Sequence, residues 1–496
     1  MHKPLTKHET LQRTLKPKEP VFLSIFHTSD MHGHLEAMTR LSTFARRLRA
    51  EAEAQGQQVF FWDAGDAADR RVRLCSLTKG AAFSPILTAM GYTLQTMGNA
   101  ISLPYGPQAM AAVAARADFP ILAANCRDGD GPLPKGLQEY VLIPLPHGLT
   151  MGVIGLTSPW RGLYEIFGLH LPDFCDVARD LVGKLRKQGV TPVVVLSHLG
   201  LEDDRRLAER VSGIDLIIGG HSHDRLPIGE ESSGVLVAQA GQYAEALGRV
   251  DLTLDPDDGR MLEHSAQVLD VPEDEPPDPA MLAAIAAAEQ EVDALVAEPI
   301  GVLEVPLNLD HFHECGIGNL TADALRERIG AEAAIVSSGL FHQGLPAGTI
   351  TLGQLDAACF TTANPFLTEV RGTQIVTALE RGLDPAISRF KHHGFRGTPI
   401  GIPQISGMMV EYDPDAEVGR RVQRVMVQGK PIDPNRLYCL AHTDAETMSK
   451  VGYLVLDRGQ STEQEVPTIV REVIEDYVRR HSPVPQPMQG RWLSIP

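Results

Sequence analysis

The chain has 496 residues, 43% hydrophobic and 22% charged, proportions that exclude a disordered or collagen-like protein and exceed what one hydrophobic core usually organises. Its 63 acidic against 45 basic side chains leave a net charge of -18, which repels long nucleic acid and acidic membranes unless a local basic patch intervenes. No apolar run reaches bilayer-spanning length, and the polar leader, residues 1–20, has no apolar stretch of the kind a secretory signal needs; the expectation is a cytoplasmic protein with no membrane partner.

After the leader, residues 21–27 form an apolar run of strand length that ends in the polar loop Thr28-Ser29-Asp30-Met31-His32-Gly33-His34. Leu41, Phe44, Ala45 and Leu48 recur at helical spacing, and a second strand, residues 59–62, then ends in Asp63-Ala64-Gly65-Asp66. The pattern repeats. Residues 93–97 run into Gly98-Asn99, residues 120–124 into Asn125, residues 193–197 into His198, and residues 214–218 into Gly219-Gly220-His221-Ser222-His223. Val177, Leu181, Val182 and Leu185 mark an amphipathic helix between the later strands. Alternating strands and helices imply an α/β layered fold, whose ligand sites lie where strand C-termini meet loops.

Residues 255–279 are rich in Asp, Glu and Pro and read as a linker, followed over 280–296 by a run of strong helix formers. The expected organisation is thus a first domain over 21–254, an acidic linker and bridging helix over 255–300, and a second α/β domain over 301–496. The six cysteines, Cys75, Cys126, Cys175, Cys315, Cys359 and Cys439, are scattered without a CxxC pair and read as reduced thiols.

Taken singly, each polar loop is an ordinary turn, because Asp, Asn, Gly and His readily bond their own backbone there. Together, five loops bring Asp30, His32, Asp66, Asn99, His198, His221 and His223 to strand C-termini. That mixture of carboxylate, amide and imidazole suits two borderline divalent cations such as Mn, Zn, Fe or Co better than Ca. Two cations about 3.5 to 4 Å apart can share a bridging hydroxide as nucleophile and neutralise charge on a phosphoryl group. The bridge needs one carboxylate that reaches both ions, and Asp66 in its Gly-Asp turn is the candidate.

The stretches FHTSDMHGHLE, DAGD, MGN, LAAN, GVIGLTSP, VVVLSHLG, GGHSHD and QAGQYAEALGRVDL, with GIGNLTADAL, SSGLFHQGLPAGTITLGQL and PQISGMMVEYD in the second half, resemble the 5'-nucleotidase branch of the calcineurin-like metallophosphoesterases over nearly the whole chain. The resemblance implies an N-terminal αββα sandwich, a helical linker and a C-terminal α/β substrate-binding domain. It implies that Asp30, His32, Asp66 and His223 hold one metal while Asp66, Asn99, His198 and His221 hold the other, with Asn99 also stabilising the transition state. The implied activity is hydrolysis of a small phosphorylated molecule such as a nucleoside monophosphate.

The sequence also departs from that pattern. In the family the Gly-Asn turn continues with a His that assists the leaving group, supported by an Asp three residues on; here Ala100 and Leu103 stand in their places. Positions of phosphate- or nucleotide-binding arginines hold His311, His313 and His342, and the Asn-Gly-Gly loop has become Ser337-Ser338-Gly339. An imidazole is charged only near or below a pKa of about 6.5 and grips phosphate less than a guanidinium. The family's base-stacking aromatics would correspond to Phe360 or Phe366 on one face and Tyr453 on the other, although core packing is as ready an explanation for each. Two alternatives follow from the missing dyad: a catalytically reduced protein that binds metal and ligand, or a hydrolase of a non-phosphate anion.

Overall fold

The computed structural model describes residues 18–359, 361–391, 397–447, 452–457 and 459–495. The chain divides into two compact units, Met1–Leu103 with Pro107–Ala286, and Ala287–Pro496 with Pro104–Gly106.

The first unit is built on two mixed sheets, one of seven strands and one of six. In the larger, the strand Val21–Thr28 runs parallel to Gln58–Asp63, with Thr28 level with Asp63, and the same direction continues through Leu94–Thr96. In the smaller, Val193–His198 runs parallel to Thr150–Thr157, with His198 level with Thr157, and to Leu216–Gly219. Parallel strands in one register end together, so the loops that follow them leave from one edge.

Side-chain alternation decides what each face buries. Leu23, Ile25 and Trp62 of the first sheet pack with Val194, Leu196 and Ile218 of the second in one core. The intervening residues Val193, Val195 and Ile217 face the other way, onto Phe174, Ala178, Leu181 and Leu185 of the helix Phe174–Lys187 and Leu207 of the helix Leu201–Arg210. Helices therefore cover the outside of a sheet pair.

The acidic, Pro-rich stretch expected to be linker departs from that expectation. Its central part, Met261–Asp270, is a strand antiparallel to Ala246–Leu254 and forms an edge of the seven-stranded sheet. Most of its residues are exposed, so an edge strand here carries the polar composition of a loop. The charged residues just before it close a turn in which the Gly259 and Asp255 amides donate to Asp255 and Arg260 carbonyls at 2.9 and 2.8 Å. The run of helix formers does fold as the helix Pro279–Ala297, and the division between the units falls within it. Asp278 fixes its start, accepting from the Ala280 amide at 2.9 Å, from the Ser42 hydroxyl at 2.6 Å and from Arg46 at 2.6 Å.

The second unit holds a five-stranded mixed sheet and a four-stranded sheet, with Ile317, Leu320, Ile335, Leu355, Ile375, Leu440 and Ile474 in a common core. Its longest helices include Gly316–Ile329 and Val470–His481. All six cysteines are free, and Cys315 is buried, where burial pushes its thiol pKa up. No described helix is long and apolar enough to cross a membrane.

Leu196 is fully buried between the two sheets. Leu196→Ala is expected to lower the unfolding free energy of the first unit by about 2 to 5 kcal/mol, read from the shift of its denaturant midpoint.

Candidate metal centre

Where the strands end, the loops remain zipped together. The Ala64 amide donates to the Thr28 carbonyl at 2.8 Å, Asp30 to Gly65 at 2.9 Å, His32 to Asp66 at 2.9 Å and Gly33 to Ala67 at 2.9 Å. This ladder holds the loop of Asp30 and His32 against the loop of Asp66. Asp30, His32, Asp66, His221 and His223 all take left-handed backbone angles, φ +52, +47, +54, +77 and +61. Such angles cost energy for residues other than glycine and persist where the surrounding structure enforces them, which is common at functional sites. Two glycines make the close approach possible: a Cβ on Gly65 would strike His198 Nδ1, and one on Gly98 would strike Asp66 Oδ1 and the Asp66 amide.

Among the described residues, two groups offer ligand atoms within 4.8 Å of one another: Asp30 with His32 and His223, and Asp30 with Asp66 and His198. In the first, His32 Nε2 lies 3.2 Å from His223 Nε2, and Asp30 Oδ1 lies 3.9 Å from the former and 3.5 Å from the latter. Asp30 is fully buried, and its Oδ1 has no hydrogen-bond partner. A buried carboxylate oxygen left bare among imidazole nitrogens is costly as it stands and fits a cation. In the second group, His198 Nδ1 donates to the Ala64 carbonyl at 2.7 Å. That bond turns Nε2 toward Asp66 Oδ2 at 3.2 Å and Asn99 Oδ1 at 3.3 Å.

His221 is tied in through its backbone amide, which donates to Asp30 Oδ2 at 2.9 Å, and its ring centroid lies 5.1 Å from that of His198. Asn99, expected in a loop, is the first residue of the helix Asn99–Arg116. The structure thus gathers all seven candidate ligands into one cluster. Asp66, expected to bridge, belongs to the second group alone, and its Oδ1 accepts the Ala100 amide at 2.7 Å; Asp30 is the carboxylate common to both.

The electrostatics follow from burying two carboxylates together. Burial works against a charged His198, yet Asp66 and Asp30 outweigh it and push its pKa up to about 9. Burial also opposes ionised Asp66, but the charge of His198 and its hydrogen bond hold the carboxyl below its usual range. His221 goes the other way, down to about 4, through burial and then the nearby charge of His198.

Several neighbours escape a reading of the sequence. Asp69 Oδ2 lies 3.1 Å from His32 Nδ1. Tyr243, whose amide donates to the Asp30 carbonyl at 2.9 Å, stands edge-on to His32 and His223 and stacks on His34 with ring centroids 4.3 Å apart. Trp160, 45% exposed, stands edge-on to His221 at 6.0 Å. Asp69, three residues past Asp66, and Tyr243, inside the stretch QAGQYAEALGRVDL, are the ones with a sequence signal.

The proposed substrate residues lie in the second unit. His311 is half-buried and its Nδ1 donates to the Ser338 carbonyl at 3.1 Å; burial lowers its pKa, which the nearby charge of His342 lowers further. His313 is exposed and its Nδ1 donates to Asp310 at 2.9 Å. His342 is exposed. Phe366 is partly buried and stacks on His442 with centroids 5.5 Å apart. Phe360 lies outside the described residues. Tyr453 differs from expectation: it is fully buried, its hydroxyl donating to the Ile400 and Gly401 carbonyls, so it has no open face for a base.

The calcineurin-like phosphoesterase model matches residues 23–225, and the 5'-nucleotidase C-terminal domain model matches residues 299–458. The chain belongs to the 5'-nucleotidase family of two-domain metallophosphoesterases, metal-dependent hydrolases of small phosphorylated molecules. It is 26% identical over 456 residues to the uncharacterised metallophosphoesterase YunD of Bacillus subtilis, covering 91% of this chain and 98% of that one. It is 25% identical over 538 residues to the snake venom 5'-nucleotidase of Naja atra, covering 95% and 98%. Among solved structures, the 5'-nucleotidase precursor of Thermus thermophilus is similar at a TM-score of 0.51 and 24% identity, covering 96% of this chain and 99% of that one. The NAD nucleotidase of Haemophilus influenzae is similar at 0.60 and 17%, covering 97% and 100%. These two likenesses are of fold.

The sign of the His198 shift gives a test. A pKa raised above the unfolded value contributes stability that is present in full below about pH 6.5 and is lost as pH rises through about 9. Metal-free protein is therefore expected to lose thermal stability between pH 6.5 and about 9, and added Mn to restore most of it while releasing protons, measured by scanning calorimetry and by proton release in unbuffered titration.

Proposed function

We propose that the chain is a dinuclear-metal hydrolase of phosphate esters acting on a nucleotide or another small phosphorylated molecule. The observation that carries this reading is the bare, buried Oδ1 of Asp30 between two imidazoles, in a chain of a metallophosphoesterase family. By the family assignment Asp30, His32, Asp66 and His223 would hold one ion, and Asp66, Asn99, His198 and His221 the other, although in this structure Asp30 is the carboxylate common to both groups. When bound, such ions supply an activated water nucleophile and neutralise phosphoryl charge.

The chain's own residues do the rest. Asn99 Oδ1 faces His198 Nε2 at 3.3 Å and accepts the Ser158 hydroxyl at 3.4 Å, which leaves its amide NH₂ to donate to an oxygen of the phosphoryl group. The Ala64 carbonyl holds the His198 ring in place through Nδ1. Beyond Asn99, Ala100 and Leu103 have no proton to give, so the leaving group would depart unprotonated or take a proton from water or from a histidine. General acid help is worth about 10² to 10⁴ in rate, and esters of acidic alcohols, which need it least, are the favoured substrates.

The same two residues favour a second reading, in which the site holds metal and a phosphorylated ligand without turnover. A third takes a non-phosphate anion as substrate; the sulfate thiohydrolase of Thermus thermophilus shares the fold at a TM-score of 0.50 and 22% identity, covering 97% of this chain and 98% of that one.

Mn-reloaded protein is expected to hydrolyse p-nitrophenyl phosphate well and AMP poorly, with Asp66→Asn inactive on both. The double variant Ala100→His/Leu103→Asp is expected to speed AMP hydrolysis by about 10² with little effect on the aryl ester, followed by phosphate release. Stoichiometric metal uptake without aryl ester hydrolysis would instead select one of the other two readings.

A further inference from the structure

Resting on the metal-site reading above, we infer that Asp69 is a positioning residue that fixes the ring and tautomer of His32 for metal binding. His32 has two ring nitrogens with different surroundings. Nε2 faces Asp30 Oδ1 at 3.9 Å and His223 Nε2 at 3.2 Å, inside the first ligand group. Nδ1 faces away from that group, 3.1 Å from Asp69 Oδ2. A carboxylate only accepts, so Nδ1 carries the hydrogen, and the Nε2 lone pair is left for an ion.

Asp69 is itself held. Its Oδ1 accepts the Arg71 amide at 2.7 Å, and the side chain is 13% exposed, so water competes weakly for the bond to His32. Its place in the chain gives it a further effect. Asp69 follows Asp66 by three residues, on the loop that the His32 and Gly33 amides grip through the Asp66 and Ala67 carbonyls at 2.9 Å each. One short loop thereby presents a carboxylate ligand to the second group and a supporting carboxylate to the first. A histidine ligand whose other nitrogen donates to a carboxylate is better oriented and more basic, and loss of such support typically costs about 10- to 100-fold in metal affinity.

The test compares wild type with Asp69→Ala and Asp69→Asn, each stripped of metal, reloaded with Mn and measured by isothermal titration and by metal content after desalting. The expected result is that Asp69→Ala weakens one of two binding events by about 10- to 100-fold and leaves the other near its wild-type value. Asp69→Asn, which keeps an acceptor without the charge, should fall between. Wild-type affinity for both equivalents in Asp69→Ala would overturn the inference.

Should wild type itself take up no metal, the metal-site reading fails, while the positioning role is still read from ¹⁵N spectra of the metal-free imidazoles. His32 should be the Nδ1–H tautomer in wild type and lose that preference in Asp69→Ala, with His198, whose Nδ1 bonds the Ala64 carbonyl, unchanged as an internal check on folding. An unaltered His32 signal would overturn the inference on that arm also.

Discussion

Two buried carboxylates side by side need positive charge, and the organisation of the first unit follows from that need. Asp30 is fully buried and Asp66 is 7% exposed, and in a medium of low dielectric their mutual repulsion and lost hydration would be prohibitive without compensation. Four histidines lie around them, and one, His198, is held protonated to about pH 9 by the pair. Asp30 also favours charge on His223, whose Nε2 is 3.5 Å from Oδ1, yet Oδ1 makes no hydrogen bond of ordinary geometry. Divalent ions bound there, as proposed, would remove the deficit and displace the proton, and would stabilise the strained loops.

The geometry that gathers these charges begins in strand register. Thr28 stands level with Asp63 and Thr157 with His198, so polar loops leave one edge together. Left-handed turns at five ligand positions then fold the side chains back over that edge, and the glycines Gly65 and Gly98 let His198 and Asp66 approach backbone that a Cβ would block.

The candidate ligands are legible in sequence because their loops, each ordinary alone, all follow apolar strands and together supply Asp, Asn and His. Their grouping is less so: only the folded chain puts Asp30 in both groups and starts a helix at Asn99. Asp69, Tyr243 and Trp160 are hidden because contacts such as that of Tyr243 with His34, more than two hundred residues earlier, have no local pattern. Met261–Asp270 reads as a linker because an edge strand exposes most of its side chains, and its composition records solvent, not pairing. Tyr453 misleads for the converse reason: a phenol can be buried whole when its hydroxyl finds carbonyls, as it does at Ile400 and Gly401.

The second unit contrasts with the first in how it could meet an anion. At His311 and His313 the Nδ1 hydrogens are already committed, to the Ser338 carbonyl and to Asp310, and burial disfavours charge on His311. At most one nitrogen of each ring remains for an anion, where an arginine would have offered a permanently charged fork. With a net charge of -18 and histidine at those three positions, attraction for an anion would have to draw on other positive charge. Ions bound at the Asp30 and Asp66 edge, as proposed, would supply strong positive charge there. On that reading, affinity for substrate and chemistry on it would depend on the same occupants, and metal loss would weaken binding as well as turnover.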